Sequence, residues 1–161
     1  MAHTSTLFTA GAFDGLTFDP LGNGGAGLLY AANYGDGSVE GFNSLGVKVF
    51  DSGFVPGGID GVGVGSGTFA GLIVVNTNNG NLVEINLATN LQTLLATGGS
   101  RGDFVAPDPN GTLLISQSDR IVRLTGGFGG SVPEINTSFF GAAVFGAMAF
   151  EAFGRRRRRL V

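Results

Sequence analysis

Ile59-Asp60-Gly61-Val62 is the stretch on which the fold depends, because related tetrapeptides stand at similar distances on either side of it. Phe13-Asp14-Gly15-Leu16 precedes it, with the aspartates 46 residues apart, and Gly102-Asp103-Phe104-Val105 follows it, with the aspartates 43 residues apart. A period in the low forties indicates repeated supersecondary units. We therefore predict that residues 1–125 fold as three such units.

The units share one order of strand and turn signals after the aspartate. A short apolar run comes first and is predicted to be a buried strand, at Leu28–Ala32, Leu72–Val75 and Leu113–Ile115. A tight turn with residues such as Gly, Asn, Asp and Ser follows each run. The next strand alternates apolar and polar residues, which indicates one buried face, at Val39–Phe42, Leu82–Ile85 and Ile121–Leu124.

A further strand is predicted over Lys48–Gly53, over Gln92–Gly98 and, by its similar form, over Ser5–Gly11. Three units of four short strands, each of about 40 to 45 residues, are typical of β-propeller blades. Over residues 5–125 the units resemble those of the NHL-like and lactonase-like propellers of bacterial secreted proteins. A β-sandwich or a β-solenoid is the alternative fold.

Three units leave a propeller incomplete, because such rings close with about four to eight blades. Either Ser5–Gly11 folds back to complete the third unit, or the chain is part of a longer gene product, which is the interpretation we favour. Residues 1–6 contain neither the basic nor the apolar segment of a signal peptide. We therefore expect upstream DNA in the same frame to encode an export signal and further blades.

Charge and rare residues limit what the body can do. Residues 1–136 hold eleven acidic residues but only four lysines and arginines, so we expect no nucleic-acid partner. The chain has no cysteine, and His3 is its only histidine. Disulfides, thiolate catalysis, Cys-based zinc sites and histidine-dependent triads within one chain are therefore excluded. We predict a non-enzymatic body without a resident cofactor.

Asp14, Asp60 and Asp103 are the candidate site residues of the body, because one occurs in each unit. In lactonase-like propellers, acidic and amide residues near the central channel bind a divalent metal, and carboxylate oxygens suit such ions. The resemblance thus implies an alternative function, a metal-dependent hydrolase that lacks its remaining blades. The simpler interpretation, which we favour, is that each aspartate accepts hydrogen bonds from backbone amides in its turn.

The chain contains two further sets of polar residues with a recognisable pattern. A second candidate ring consists of amides near the ends of the apolar strands, Asn33, Asn76 and Gln117. The tripeptide Arg101-Gly102-Asp103 spells an integrin-binding motif. Because the repeat already accounts for Asp103, we attribute that tripeptide to chance.

The C-terminal residues have the three-part layout of a membrane-sorting tail. A glycine-rich linker over residues 126–136 contains Val132, Pro133 and Glu134. Residues 137–154 are apolar apart from Glu151, and a helix of that length spans roughly 27 Å, close to the hydrocarbon thickness of a bilayer. A basic tail follows over residues 155–161, with Arg155, Arg156, Arg157, Arg158 and Arg159. Basic residues stay cytoplasmic, so the body should face outward.

This tail resembles the PEP-CTERM sorting signal of Gram-negative bacteria, through Val132, Pro133, Glu134 and the run from Arg155 to Arg159. The resemblance implies that an exosortase-type enzyme recognises the tail and processes it near the Pro-Glu motif. The family usually has a second proline where this chain has Ile135, which bears on the efficiency of processing. A plain single-pass anchor with a basic flank is the alternative.

Together these features predict an all-β protein, a partial β-propeller of about three four-stranded blades followed by a C-terminal transmembrane helix. The expected function is that of a surface-anchored or secreted binding or structural protein of the bacterial cell envelope. Its expected partners are the membrane, an exosortase-type enzyme, and an exopolysaccharide or another surface protein.

Overall fold

Strands in three antiparallel sheets form about half of the chain that the computed structural model describes, residues 7–125. The first sheet contains β1 (Phe13–Asp19), β2 (Leu28–Asn33), β3 (Ser38–Phe42) and β4 (Lys48–Phe54). The second contains β5 (Ile59–Val64), β6 (Leu72–Thr77), β7 (Leu82–Asn86) and β8 (Gln92–Ala96). The third contains β9 (Val105–Pro107), β10 (Leu113–Ser116) and β11 (Ile121–Leu124).

The three sheets coincide with the three sequence units. In each sheet the strands lie side by side in chain order. Short hairpin loops join them, and two of these loops contain a helical turn, Gly22–Gly25 (α1) and the 3₁₀ turn Gly67–Phe69. The predicted all-β class is confirmed for residues 7–125.

No helix within residues 7–125 has the length and apolar character needed to cross a bilayer. The predicted transmembrane helix over residues 137–154 lies outside the described residues. The linker over residues 126–136 and the basic tail over residues 155–161 lie outside them as well.

The predicted strand over Ser5–Gly11 is wrong for its described part, residues 7–11, which has no strand structure. The third sheet keeps three strands, with β11 at its edge, so this segment does not complete it. The ring of Phe8 instead packs edge-on against Phe42 of the first sheet, with ring centroids 6.5 Å apart, and Phe13 does the same at 5.5 Å. This segment is therefore positioned by aromatic contact with the first sheet, and it does not pair through its backbone with β11.

Apolar side chains between successive sheets form two buried clusters. The cluster between the first and second sheets includes Leu28, Tyr30, Val39, Val62, Ile73, Val75 and Ile85. The cluster between the second and third sheets includes Phe69, Leu72, Val74, Leu82, Val105, Leu113 and Ile115. Every residue of β6 is buried, because the second sheet is covered on both faces. This explains why Leu72–Val75 is a continuous apolar run with no alternation.

The first strands of the three sheets, β1, β5 and β9, pack against one another in that order. Glycine makes this close approach possible. A Cβ atom on Gly15 would lie 2.6 Å from the carbonyl oxygen of Asp60, and one on Gly61 would lie 2.8 Å from the carbonyl carbon of Asp103. A Cβ atom on Gly63 would overlap the carbonyl oxygen of Val105. Any larger side chain at these positions must therefore push the sheets apart.

We predict that Gly63→Ala lowers the free energy of unfolding by about 2–3 kcal/mol, since the added methyl group meets the backbone of β9. Gly98→Ala is the matched control, because a Cβ atom there meets nothing within 4 Å and only the positive φ of 84° is unfavourable. The control should cost about 1 kcal/mol. Urea unfolding followed by far-UV circular dichroism measures both. An equal loss in the two variants would contradict the proposed role of Gly63.

Candidate functional site

The three repeat aspartates lie together around the guanidinium group of Arg101. Arg101 Nε donates a hydrogen bond to Asp60 Oδ2 at 2.6 Å, and Nη2 donates one to Asp60 Oδ1 at 3.2 Å. The same Nη2 atom lies 3.7 Å from Asp14 Oδ2 and 3.7 Å from Asp103 Oδ1. One cation therefore faces a carboxylate group from each of the three units.

The packing of the first strands explains why these side chains meet. Asp60 lies on the middle strand, and its side chain is only 1% exposed, whereas those of Asp14 and Asp103 are 44% and 77% exposed. Arg101 belongs to the loop between β8 and β9 and reaches back to the second sheet. A buried carboxylate needs a charged or hydrogen-bonding partner, and a two-bond contact with guanidinium is among the strongest available.

The pKa values of Asp60 and Asp14 are shifted in opposite directions. Burial favours the neutral form of Asp60, but hydrogen bonds from Arg101 and from Asp14 outweigh it and hold the pKa of Asp60 below its usual value. A hydrogen bond to Asp60 raises the pKa of Asp14, and burial and the charges of Asp60 and Asp103 act in the same direction. Asp60 is therefore the ionised partner of Arg101, and Asp14 is the carboxyl group of the pair that takes up a proton first.

The arrangement does not fit the divalent metal that the lactonase resemblance implies. Such an ion needs several free oxygen ligands, but both carboxylate oxygens of Asp60 already accept hydrogen bonds from Arg101. The positive guanidinium group also stands where the three carboxylates converge, and it would repel a second cation. Within residues 7–125, no group of three or more acidic, histidine or cysteine side chains is arranged to hold a metal ion.

A cavity of about 290 Å³ opens beside the ion pair. Its lining residues are Asp14, Tyr34, Ile59, Asp60, Asn78 and Arg101. The Tyr34 side chain is 61% exposed, so its ring and hydroxyl group are accessible. The lining combines hydrogen-bond donors, hydrogen-bond acceptors and an aromatic ring, with more negative than positive charge. Such a surface suits a ligand with many hydroxyl groups better than an anion.

The candidate amides Asn33 and Asn76 serve the fold and do not form a ring. Asn33 Oδ1 accepts a hydrogen bond from the backbone N–H of Gly35, and Asn33 Nδ2 donates one to Glu40 at 3.2 Å. Asn76 Nδ2 donates to the carbonyl oxygen of Ser116 at 3.2 Å and so joins the second sheet to the third.

Gln117, the third candidate amide, lies beside a glycine of another loop. A Cβ atom on Gly99 would lie 2.5 Å from Gln117 Nε2, so this side chain packs against the loop that joins β8 to β9. The contact that Gln117 makes therefore differs from the contacts made by Asn33 and Asn76.

The prediction that each aspartate binds backbone amides in its own turn is wrong for Asp60, whose hydrogen-bond partner is the side chain of Arg101. Sequence reasoning missed Arg101 because it lies 41 residues from Asp60 and stands in a tripeptide attributed to chance. One signal was present, since Arg101 is one of very few cations in an acidic body, and a buried aspartate requires a cation.

Comparisons of the sequence with models of known protein families and with curated proteins gave no match. The predicted sorting motif, Val132, Pro133 and Glu134, and the arginines from Arg155 to Arg159 lie outside the described residues. The cluster around Arg101 is thus the candidate site within residues 7–125.

We predict that Arg101→Met lowers the free energy of unfolding at pH 7, because the buried Asp60 loses its counter-charge and its pKa rises. The depressed pKa of Asp60 stabilises the wild-type fold above the unfolded value near 3.8, and this contribution is lost as the pH falls through the folded value. The stability difference between wild type and variant should therefore narrow as the pH falls from 7 to below 3.8. Urea unfolding at several pH values measures it.

Arg120→Met is the matched control for this experiment. Arg120 pairs with its neighbour Asp119, and both side chains are more than 60% exposed. Water can replace the lost partner there, so stability should change little. Equal effects of the two substitutions at pH 7 would show that the buried position of Asp60 does not matter.

Proposed function

We propose that the protein is a surface-anchored or secreted binding protein of the bacterial cell envelope, with a β-propeller-like body and a PEP-CTERM-type sorting tail. The cavity beside Arg101 and Asp60 is its proposed ligand site, and an extracellular polysaccharide is the proposed ligand. The observation that carries the binding function is the placement of an accessible Tyr34, Asn78 and Asp14 around a fixed ion pair.

The sheet arrangement supports the propeller-like body. Two four-stranded antiparallel sheets and one three-stranded sheet follow one another along the chain, and their first strands β1, β5 and β9 lie next to one another. Propeller blades have this strand order and pack face to face with their first strands around a central channel. Asp14 and Asp60 lie on β1 and β5, and Arg101 and Asp103 lie in the loop just before β9. In a propeller this position would put the cluster at the channel.

The charge of the cavity supports a neutral polysaccharide. Two acidic residues, Asp14 and Asp60, line the cavity against one cation, Arg101, and Asp103 lies 3.7 Å from that cation. A polymer rich in carboxylate or sulfate groups would therefore be repelled. Hydroxyl groups of a neutral sugar can accept from Asn78 and donate to Asp14, and the Tyr34 ring offers an apolar face for a sugar ring.

The sequence of the tail supports the location. An apolar stretch over residues 137–154, followed by Arg155–Arg159, has the charge asymmetry that keeps a basic end in the cytoplasm. The Pro133-Glu134 motif before it is the place where an exosortase-type enzyme would act. The ligand site would then face outward, where extracellular polysaccharide is found.

The tail is tested by fractionating a Gram-negative host that has an exosortase and expresses the full chain behind an added signal peptide. We expect the wild-type protein in the envelope fraction and loss of this location when Arg155–Arg159 are deleted. Replacement of the five arginines by lysines is the control, because it keeps the charge and hence the orientation. Purely cytosolic protein in every version would refute the sorting proposal.

Processing is tested separately with Pro133→Ala and Glu134→Ala in one chain. Wild-type protein recovered from the envelope should be lighter than the full chain by the mass of the segment after the motif. The double variant should keep the mass of the full chain. Intact mass spectrometry gives the answer. Full-length wild-type protein in the envelope would favour a plain membrane anchor.

Ligand binding is tested with the purified full chain and two soluble polymers, a neutral glucan and an acidic polyuronate. We expect the neutral polymer to bind more tightly, and Tyr34→Ala to weaken that binding about five- to tenfold. Leu45→Ala is the control, since Leu45 is 82% exposed and does not line the cavity. Isothermal titration calorimetry measures the affinities. Preference for the polyuronate, or equal effects of both substitutions, would contradict the proposed site.

A further inference from the structure

One face of the first sheet carries large apolar side chains that the described part of the chain leaves uncovered. Leu16 and Phe18 of β1 are each 60% exposed. In the sheet register they pair with Ala31 and Leu29 of β2, so these four side chains share a face, which we call the outer face. Leu16 and Phe18 form its exposed part, whereas Ala31 is only 2% exposed. The opposite face, with Tyr30, packs in the cluster between the first and second sheets.

The same positions are interface positions in the other two units. Aligning the aspartates places Leu16 with Val62 and Val105. Val62 is 5% exposed and packs in the cluster shared with the first sheet, and Val105 is 3% exposed and packs in the cluster shared with the second sheet. In both cases the sheet that comes before covers the position. The outer face of the first sheet is therefore equivalent to the faces that carry Val62 and Val105. Within residues 7–125, however, no preceding sheet covers it.

The contacts between the sheets have a direction, and this direction specifies the partner. Gly15 of the first unit approaches the backbone of Asp60 in the second, and Gly61 of the second approaches the backbone of Asp103 in the third. The earlier sheet contributes the glycine, and the later sheet contributes the aspartate. A sheet that covers Asp14 and Leu16 must accordingly carry a glycine at the position of Gly15 and Gly61.

The third unit lacks this feature, which argues against a second copy of the chain as the occupant. Phe104 stands where Gly15 and Gly61 stand in the other units, and its side chain is 57% exposed. Even a Cβ atom at Gly61 would come within 2.8 Å of the neighbouring backbone, so a phenylalanine side chain there would keep two sheets apart. The face of the third sheet that no other sheet covers within residues 7–125 therefore does not match the outer face of the first sheet.

We propose that the outer face is a docking surface for one further antiparallel sheet of the same repeat, with glycine after the aspartate of its first strand. The segment over residues 7–11 contacts this sheet at Phe42, through Phe8, and would be displaced. The proposal rests on the propeller-like body proposed above. Beyond that proposal, it specifies on which side of the three sheets a further sheet packs and which residue such a sheet must carry.

The test joins a second copy of residues 55–98, which carry Asp60-Gly61, to the full chain at either end of the array. In one arm this copy replaces residues 1–8, and in the other it is inserted after Thr125. The first arm should raise the urea midpoint by about 0.5 M or more, because a matched neighbour adds an interface, and the second arm should leave it unchanged. Equal effects in the two arms, or no gain in the first, would overturn the proposal.

Phe18→Glu distinguishes docking from a general effect of extra sequence. In the first arm it should abolish the gain, since the charge would be buried in the new interface. In the unextended chain it should change the midpoint little, because Phe18 is 60% exposed there. A loss of the same size in both backgrounds would mean that Phe18 stabilises the first sheet itself, and would count against docking.

A second measurement covers the case in which the extended chains fail to fold. Phe104→Gly gives the third sheet the glycine that the proposal requires, so the full chain in detergent should then associate head to tail, as measured by light scattering. Adding Phe18→Glu should return it to the wild-type mass. A Phe104→Gly variant with unchanged mass, or wild type that already associates through Phe18, would contradict the proposal. Neither experiment depends on polysaccharide binding or on sorting, so the proposals fail separately.

Discussion

Close backbone contact between the first strands of successive sheets is the constraint on which the rest of the structure depends. Gly15 and Gly61 allow it, because a Cβ atom at either position would meet the backbone of the next sheet. The contact brings the sheets close enough for two apolar clusters to form between them. It also brings the aspartates that precede these glycines to one place. Packing and the candidate site thus have the same cause.

Bringing three carboxyl groups together creates an electrostatic cost that Arg101 offsets. Asp60 is buried between its neighbours and would be costly to ionise alone, whereas the guanidinium group lets it stay charged. Because that cation belongs to the protein, the carboxylates are not free to bind a divalent ion, and the adjoining cavity is left for a ligand that forms hydrogen bonds. This supports a binding function in preference to metal-dependent hydrolysis.

Much of the fold could be predicted from local patterns. The apolar runs and the alternating segments correspond to β2, β3, β6, β7, β10 and β11. Turn residues between them force adjacent strands to pair, so the hairpins need no distant information. The segment over residues 7–11 was predicted wrongly because its strand-like composition does not say which surface it meets, and Phe8 packs on Phe42.

The sequence by itself determined the all-β class, the three units and the recurrence of Asp14, Asp60 and Asp103, since repeats and periodicity are local properties. It also determined the acidic body and the basic tail. Only the tertiary structure decided the partner of Asp60, because Arg101 lies 41 residues away and meets it across the interface between two sheets. Pairing between distant charges depends on how the sheets pack, and no local pattern encodes that.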